Sequence, residues 1–215
     1  METAVAVALL AIVPLVLLAT TSFVKISVVF SLLRHGLGAG GVPGATVVTA
    51  LAVILSLYVM APVAAAIAEA AGPAAEQLDP EAPLSDIDAL GAMLEAGAEP
   101  LRAFLERNAG DRERGLFLDL ARDAGTPDAP AEVEEDDLRV LMPAFLITEL
   151  GEAFQIGFLV LLPFLVVDLV VANILLSLGL QTTSPNQIAM PFKLLLFVLV
   201  DGWSLLARAL VEGYA

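Results

Sequence analysis

The sequence predicts an all-α protein: two long apolar helical hairpins with a small acidic helical domain inserted between them. Three observations carry this. Four apolar runs, Val5–Leu33, Val42–Ala68, Leu141–Leu180 and Pro191–Val211, are each long enough to cross a bilayer, which takes ~20 residues for ~30 Å of hydrocarbon. The acids are segregated: residues 64–137 hold nineteen acids and five arginines, a net of −14, and the rest of the chain nets −1. Short glycine- and proline-bearing loops, residues 36–44 and 179–186, join the runs pairwise. With 59% hydrophobic residues and a mean hydropathy of +0.88, this is the composition of an integral membrane or membrane-derived protein. The boundaries fall at 1–68 for the first hairpin, 69–137 for the acidic domain with its linkers, and 138–215 for the C-terminal helices.

The N-terminal run reads as a retained helix and not a removed leader: Glu2 is its only early charge, no basic region precedes the apolar stretch, and that stretch continues to Leu33. Pro14 and Lys25 interrupt it. The second run carries Pro62 near its end. In the middle segment, Ser85-Asp86-Ile87-Asp88 resembles a capping box, and Leu84, Ile87, Leu90, Leu94 and Ala98 recur at helical spacing. Pro100 is expected to open a second helix with Leu101, Phe104 and Leu105 on one face. Asp111 is expected to cap a third that buries Leu116, Phe117 and Leu120 and stops at Gly125. Residues 72–83 and 125–137, rich in Pro, Ala and acids, read as linkers. The third apolar run has room for two helices, with breaks expected at Pro143 and Pro163. The last, PNQIAMPFKLLLFVLVDGW over residues 185–203, reads as one helix with a cation near its start and an anion near its end.

Several function classes are excluded or disfavoured. An acidic middle lacks the basic footprint that nucleic acid requires. There is no cysteine, one histidine (His35), and no cluster with metal-ligand spacing. No nucleophile motif or phosphate-cradling loop is present, so neither an enzyme nor a cofactor is expected. Arg34 and His35 in the first loop, with Lys193 just after the second, place both loops on the cytoplasmic side and the acidic domain outside.

The informative residues are charges inside apolar helices, which are costly unless partnered. Lys25 either snorkels to an interface or makes an ion pair or pore contact. Asp168 is too short to snorkel. In a membrane span it would suggest a proton or ion relay, with Asn173 nearby. In a protein core it would make an interhelical hydrogen bond. Glu149 and Glu152 share a helix face and are expected to partner Lys25, Lys193 or Arg139. Asp201 completes the set of buried polar candidates: Lys25, Glu152, Asp168, Asn173 and Asp201. Gly151, Gly157, Gly179 and Gly202 suit close helix approach or turns, and Trp203 suits an interface anchor.

Five motifs occur in order: LLATTSFVKISVVFSLLR, LSLYVMAPV, PLRAFLERN, LMPAFLITELGEAFQIGFLVLLPFLVVDLVVANILLSLG and PFKLLLFVLVDGW. They resemble the FliP/SctR family of type III secretion export-apparatus proteins over nearly the whole chain. The stretch Ser22-Phe23-Val24-Lys25-Ile26, where flagellar members tend to read SFTRI after a cleavable leader, is similar to the injectisome branch (SctR, YscR, HrcR). The resemblance implies a pentamer of this chain in the bacterial inner membrane, assembled with SctS and SctT subunits and in company with SctU and SctV types. That assembly would be a gate for unfolded substrates lying largely above the membrane plane. It implies that Glu149 and Lys193 pair between subunits. It also implies that Leu180, Gln181 and Thr182 stand at the pore constriction where relatives carry methionines. Methionine re-packs easily, whereas a leucine ring would seal as an apolar constriction. Gly151 stands where a basic residue is common in relatives. Three other readings compete: a flagellar export-gate homologue, an ion-coupled transporter titrating at Asp168, and a plain membrane scaffold tolerant of change at Lys193 and Asp201.

Overall fold

The structure, a computed structural model, describes residues 16, 18–38, 43–76, 87–124, 133–180 and 182–214, with backbone alone at 87–90. Among these, seven helices and no strand are found: α1 (Phe23–Leu37), α2 (Ala45–Ala75), α3 (Ile87–Asn108), α4 (Asp111–Asp123), α5 (Leu138–Ser177), α6 (Pro185–Leu199) and α7 (Gly202–Glu212). The all-α expectation holds. The chain divides into two compact units, one of residues 1–22 and 58–149, the other of residues 23–57 and 150–215. Helices α2 and α5 each contribute a segment to both.

Prolines end fewer helices than the sequence predicts. Pro62 and Pro73 lie inside α2, Pro100 inside α3, and Pro191 inside α6. Pro143 and Pro163 lie inside a single 40-residue α5, where two helices were expected. A proline forfeits one i→i−4 bond, whereas ending a helix orphans four N–H and four C=O groups. In a run this apolar nothing nearby would satisfy those groups, so the unbroken helix prevails. The acidic segment accordingly forms two helices over its described residues, not three. Asp111 is the first residue of α4, after Gly110 in extended conformation, and not its cap. Ser85, Asp86 and Gly125 lie outside the described residues.

The reverse happens at the last apolar run, which breaks into α6 and α7 with a 61° bend. Asp201 sits there in the left-handed region (φ 50°, ψ 49°), a conformation that Asp and Asn tolerate better than other non-glycine residues. Its backbone carbonyl accepts from the Leu205 N–H at 3.1 Å, starting α7. Gly202 is required at the elbow, because a Cβ there would enter the Phe197 ring. Trp203 packs edge-on against the same ring, centroids 5.1 Å apart.

The unit containing α1 is organised around that helix. Ile26, Val29, Phe30, Leu33 and Leu37 follow its buried face and meet Val48 and Ala52 of α2, Ala153 and Phe164 of α5, Phe197 of α6, and Leu206 and Leu210 of α7. Two glycines set the approach of α1 to α5: a Cβ on Gly157 would strike Leu32, and one on Gly36 would strike Leu161. In the other unit, Phe104 and Leu105 of α3 pack on the start of α5. The Phe104 and Phe145 rings lie 5.6 Å apart. The Gly110 N–H donates to Thr148 Oγ1 at 2.9 Å, and that hydroxyl donates to the Ala144 carbonyl at 2.9 Å.

Helix α5 starts on a cap the sequence analysis missed. Asp137 Oδ1 accepts from the Arg139 backbone N–H at 2.9 Å, and both carboxylate oxygens accept from the Arg139 guanidinium. Those bonds from Arg139, side chain first, hold the Asp137 carboxyl below the usual aspartate range. A depressed folded value means the cap contributes above the unfolded pKa, about 3.9, and its contribution fades as pH falls through the folded one. Amide-exchange protection factors at Arg139–Leu141 are therefore expected to drop between roughly pH 5 and 3. In Asp137→Asn, which caps without titrating, they are expected to stay flat; an unchanged acid response there would refute the assignment.

Helices α2 and α5 are long and apolar enough to cross a membrane, and only 17% of the most apolar stretch of either is buried. Most of their apolar surface must be covered by something outside the single chain.

Candidate functional site

Two ammonium groups are buried among apolar helices, and each is tied to acids of another helix. Lys193 of α6, its side chain 3% exposed, donates to Asp168 Oδ2 of α5 at 2.7 Å and to the Gly36 carbonyl of α1 at 2.9 Å. Gly36 lies in the last turn of α1, where carbonyls lack intrahelical partners and the helix dipole is negative. One cation thus answers a carboxylate and a helix end, locking three helices. Asp168 is partly exposed, and its Oδ1 has no hydrogen-bond partner among the described residues. A cavity of about 520 Å³, lined by His35, Leu161, Phe164, Asp168, Asn186 and Lys193 among others, opens beside the pair.

Lys25 of α1, 2% exposed, forms the second tie. Its Nζ lies 2.6 Å from Glu152 Oε2 of α5 and 4.0 Å from the centroid of the Tyr214 ring. Between the alternatives open for Lys25, the geometry is an ion pair. Tyr214 carries no signal in the sequence, since only the tertiary fold brings the turn after α7 to α1.

The remaining candidates separate. Glu149 is 1% exposed, while Glu152, one helical turn on, keeps half its side chain in solvent. Glu152, Asn173 and Asp201, expected to be buried, are exposed in the single chain, Glu152 because Lys25 reaches it at the edge of α5. Asn173 faces away from the α1–α5–α6 core, and Asp201 occupies the elbow. Gly151 has open space around its Cα. Arg139 is taken by Asp137.

The expected constriction lies at a helix C-terminus. Gly179 (φ 74°) closes α5 with two bonds, Leu180 N–H to Leu175 O and Gly179 N–H to Leu176 O, each at 3.0 Å. This is the Schellman arrangement, which needs a left-handed residue after the helix. It leaves Leu180 47% exposed, and Thr182 is exposed as well. Gln181 lies outside the described residues.

Apolar helices of membrane-crossing length, with internal cations neutralised by neighbouring helices and apolar faces left open, are the features of a membrane-associated protein. The chain belongs to the FliP family, which it matches over residues 6–210. It is 43% identical to the Yop proteins translocation protein R of Yersinia pestis over 210 residues, covering 98% of this chain and 94% of that one. It is 44% identical to the hypersensitivity response secretion protein HrcR of Ralstonia nicotianae, with the same coverage. It is also 38% identical to the flagellar biosynthetic protein FliP of Rhizobium meliloti, over 95% of this chain and 80% of that one.

Proposed function

We propose that this chain is a core subunit of a type III protein secretion export apparatus of the injectisome kind in the bacterial inner membrane. Several copies, five by the resemblance, join SctS- and SctT-type subunits around a closed pore, with SctU- and SctV-type subunits alongside, and unfolded substrates pass through. The observation that carries this is the pairing of family membership with uncovered apolar helices whose internal charges are already answered. Charges so placed suit helices packed against protein better than helices dissolved in lipid. The same observation supports assembly over ion transport, because Asp168 has a structural occupation with Lys193.

Leu180, Gln181 and Thr182 form the constriction in this reading, one exposed leucine per copy. An ammonium has three donors. Lys193 gives one to Asp168 and one to Gly36; both Lys193 and Glu149 are buried in the single chain, so in this reading their pairing between copies forms only with rearrangement on assembly. The acidic helices α3 and α4 belong on the periplasmic side.

Native mass spectrometry of the chain in detergent, alone and co-expressed with SctS- and SctT-type partners, tests this directly. A discrete oligomer that gains partner subunits is expected. A monomer or dimer indifferent to the partners would overturn the proposal.

A further inference from the structure

Arg34 stands out among the charges because nothing in the described chain answers it. It is half-buried on α1, makes no ion pair among the described residues, and its Nε is buried without a hydrogen bond. It lines a pocket of about 310 Å³ between α1 and the start of α2, together with Ser27, Ser31 and Thr49 and the apolar Val28 and Val48. In a chain with 25 acids and 10 basic residues, no carboxylate lines this pocket. A guanidinium surrounded by hydroxyls is the chemistry that receives an oxyanion, and it binds phosphate in fork geometry. Left alone, the buried Nε–H is a desolvated donor with an unmade bond.

The surroundings specify which phosphate. From Thr49 at the pocket, Val53 and Leu57 follow at four-residue spacing along α2, 41% and 66% exposed. An apolar stripe therefore leads away from the anion pocket down a helix long and apolar enough to cross a membrane. The pocket lies at the beginning of that helix, where an interfacial arginine meets headgroups. We propose that Arg34, with Ser31 and Thr49, binds the phosphate of a phospholipid whose acyl chain lies along Val53 and Leu57. This site rests on the membrane placement in the proposed function and not on secretion or on the assembly of copies.

The test is a lipid titration of the full chain in detergent, with bound lipid counted by native mass spectrometry. The probes are dioleoylphosphatidylglycerol, dioleoylglycerol and inorganic phosphate. Wild type is expected to retain phosphatidylglycerol and to bind dioleoylglycerol and inorganic phosphate at least tenfold more weakly. Arg34→Gln is expected to weaken phosphatidylglycerol binding about tenfold, the loss of one charge-assisted hydrogen bond, and Arg34→Lys to restore part of it. Leu57→Asp is expected to weaken lipid binding while leaving phosphate binding unchanged, which separates the stripe from the pocket. Thermal unfolding of each variant confirms that it is folded. Dioleoylglycerol binding as well as phosphatidylglycerol, or Arg34→Gln binding it undiminished, would overturn the proposal. Inorganic phosphate competing at equal concentration would also overturn it and make the pocket a free-anion site. Unchanged lipid binding with lost self-association would assign Arg34 to an acid on a neighbouring protein instead.

Discussion

Lys193→Glu is expected to leave little folded, monodisperse protein. The substitution replaces an ammonium whose side chain is 3% exposed with a carboxylate facing Asp168 and the Gly36 carbonyl. It creates a buried like-charge pair at the C-terminal end of a helix dipole, where anions are disfavoured. A cost of several kcal/mol is comparable with the 5–15 kcal/mol that holds a typical domain together. Lys193→Met keeps the volume and loses both hydrogen bonds, for a smaller cost of ~2–4 kcal/mol. Asp168, with 37% of its side chain exposed, can recover some hydration, so the penalty stays below that of a fully buried orphan. In the swapped double variant Asp168→Lys with Lys193→Glu, recovery is expected to be partial. The pair returns, but a carboxylate cannot donate to the Gly36 carbonyl. Thermal midpoints and elution profiles of the chain purified alone check all three. A normal midpoint for Lys193→Glu would show that the tie contributes nothing within the chain. A normal midpoint with lost oligomer would move its role to contacts between copies.

Phe145→Ala is expected to unfold the acidic helices while leaving α1 protected. Phe145 is fully buried, and so are Leu105, Leu141 and Ala144 around it. Its ring meets Phe104 of α3 at 5.6 Å. Emptying such a site costs roughly 3–5 kcal/mol, including the ~0.5–1.5 kcal/mol specific to the ring pair. Beside it, the Gly110–Thr148 hydrogen bond is the polar fastening of the loop between α3 and α4. Hydrogen exchange should show α3 and α4 amides losing protection in Phe145→Ala, with Phe145→Leu intermediate. Equal loss throughout α1 would mean that the chain unfolds as one cooperative body and would overturn the local assignment.

The all-α class was legible because apolar length and acid segregation are composition-scale signals. They require neither register nor partner. Lys25, Glu152, Asp168 and Lys193 were legible as well, since a charge in an apolar run must find an answer within reach. Which charge answers which was not. The Lys193–Asp168 and Lys25–Glu152 pairs depend on where α1 crosses α5 and α6, and glycines at 36 and 157 set that crossing without announcing their partners. Proline misled in one direction and aspartate in the other. Pro143 and Pro163 looked like ends and lie inside one continuous helix, because an apolar setting penalises open backbone more than one lost bond. Asp201 looked like a buried anion and is the pivot of a bend, a role fixed by its backbone angles and not by its charge. Tyr214 beside Lys25, and the Gly36 carbonyl, were beyond sequence reasoning: one is a contact of distant helices, the other a backbone atom.

The 40 residues of α5 have a consequence for how the chain meets a bilayer. At 1.5 Å per residue the helix is ~60 Å long, about twice the ~30 Å hydrocarbon thickness. Tilted by 40°, the steep end of the usual range, it still reaches ~46 Å along the normal. At least ~15 Å of it therefore stands outside the hydrocarbon in every ordinary orientation. Its charges lean to one end: Arg139, Glu149 and Glu152 all fall before Ala153, and Asp168, the one charge beyond it, is paired with Lys193. The helix is thus its own spacer, a rod whose later portion is greasy enough for lipid and whose first turns are held away from the fluid boundary. A rod cannot shorten to suit a thinner bilayer, so a change in membrane thickness would be met by tilting the rod.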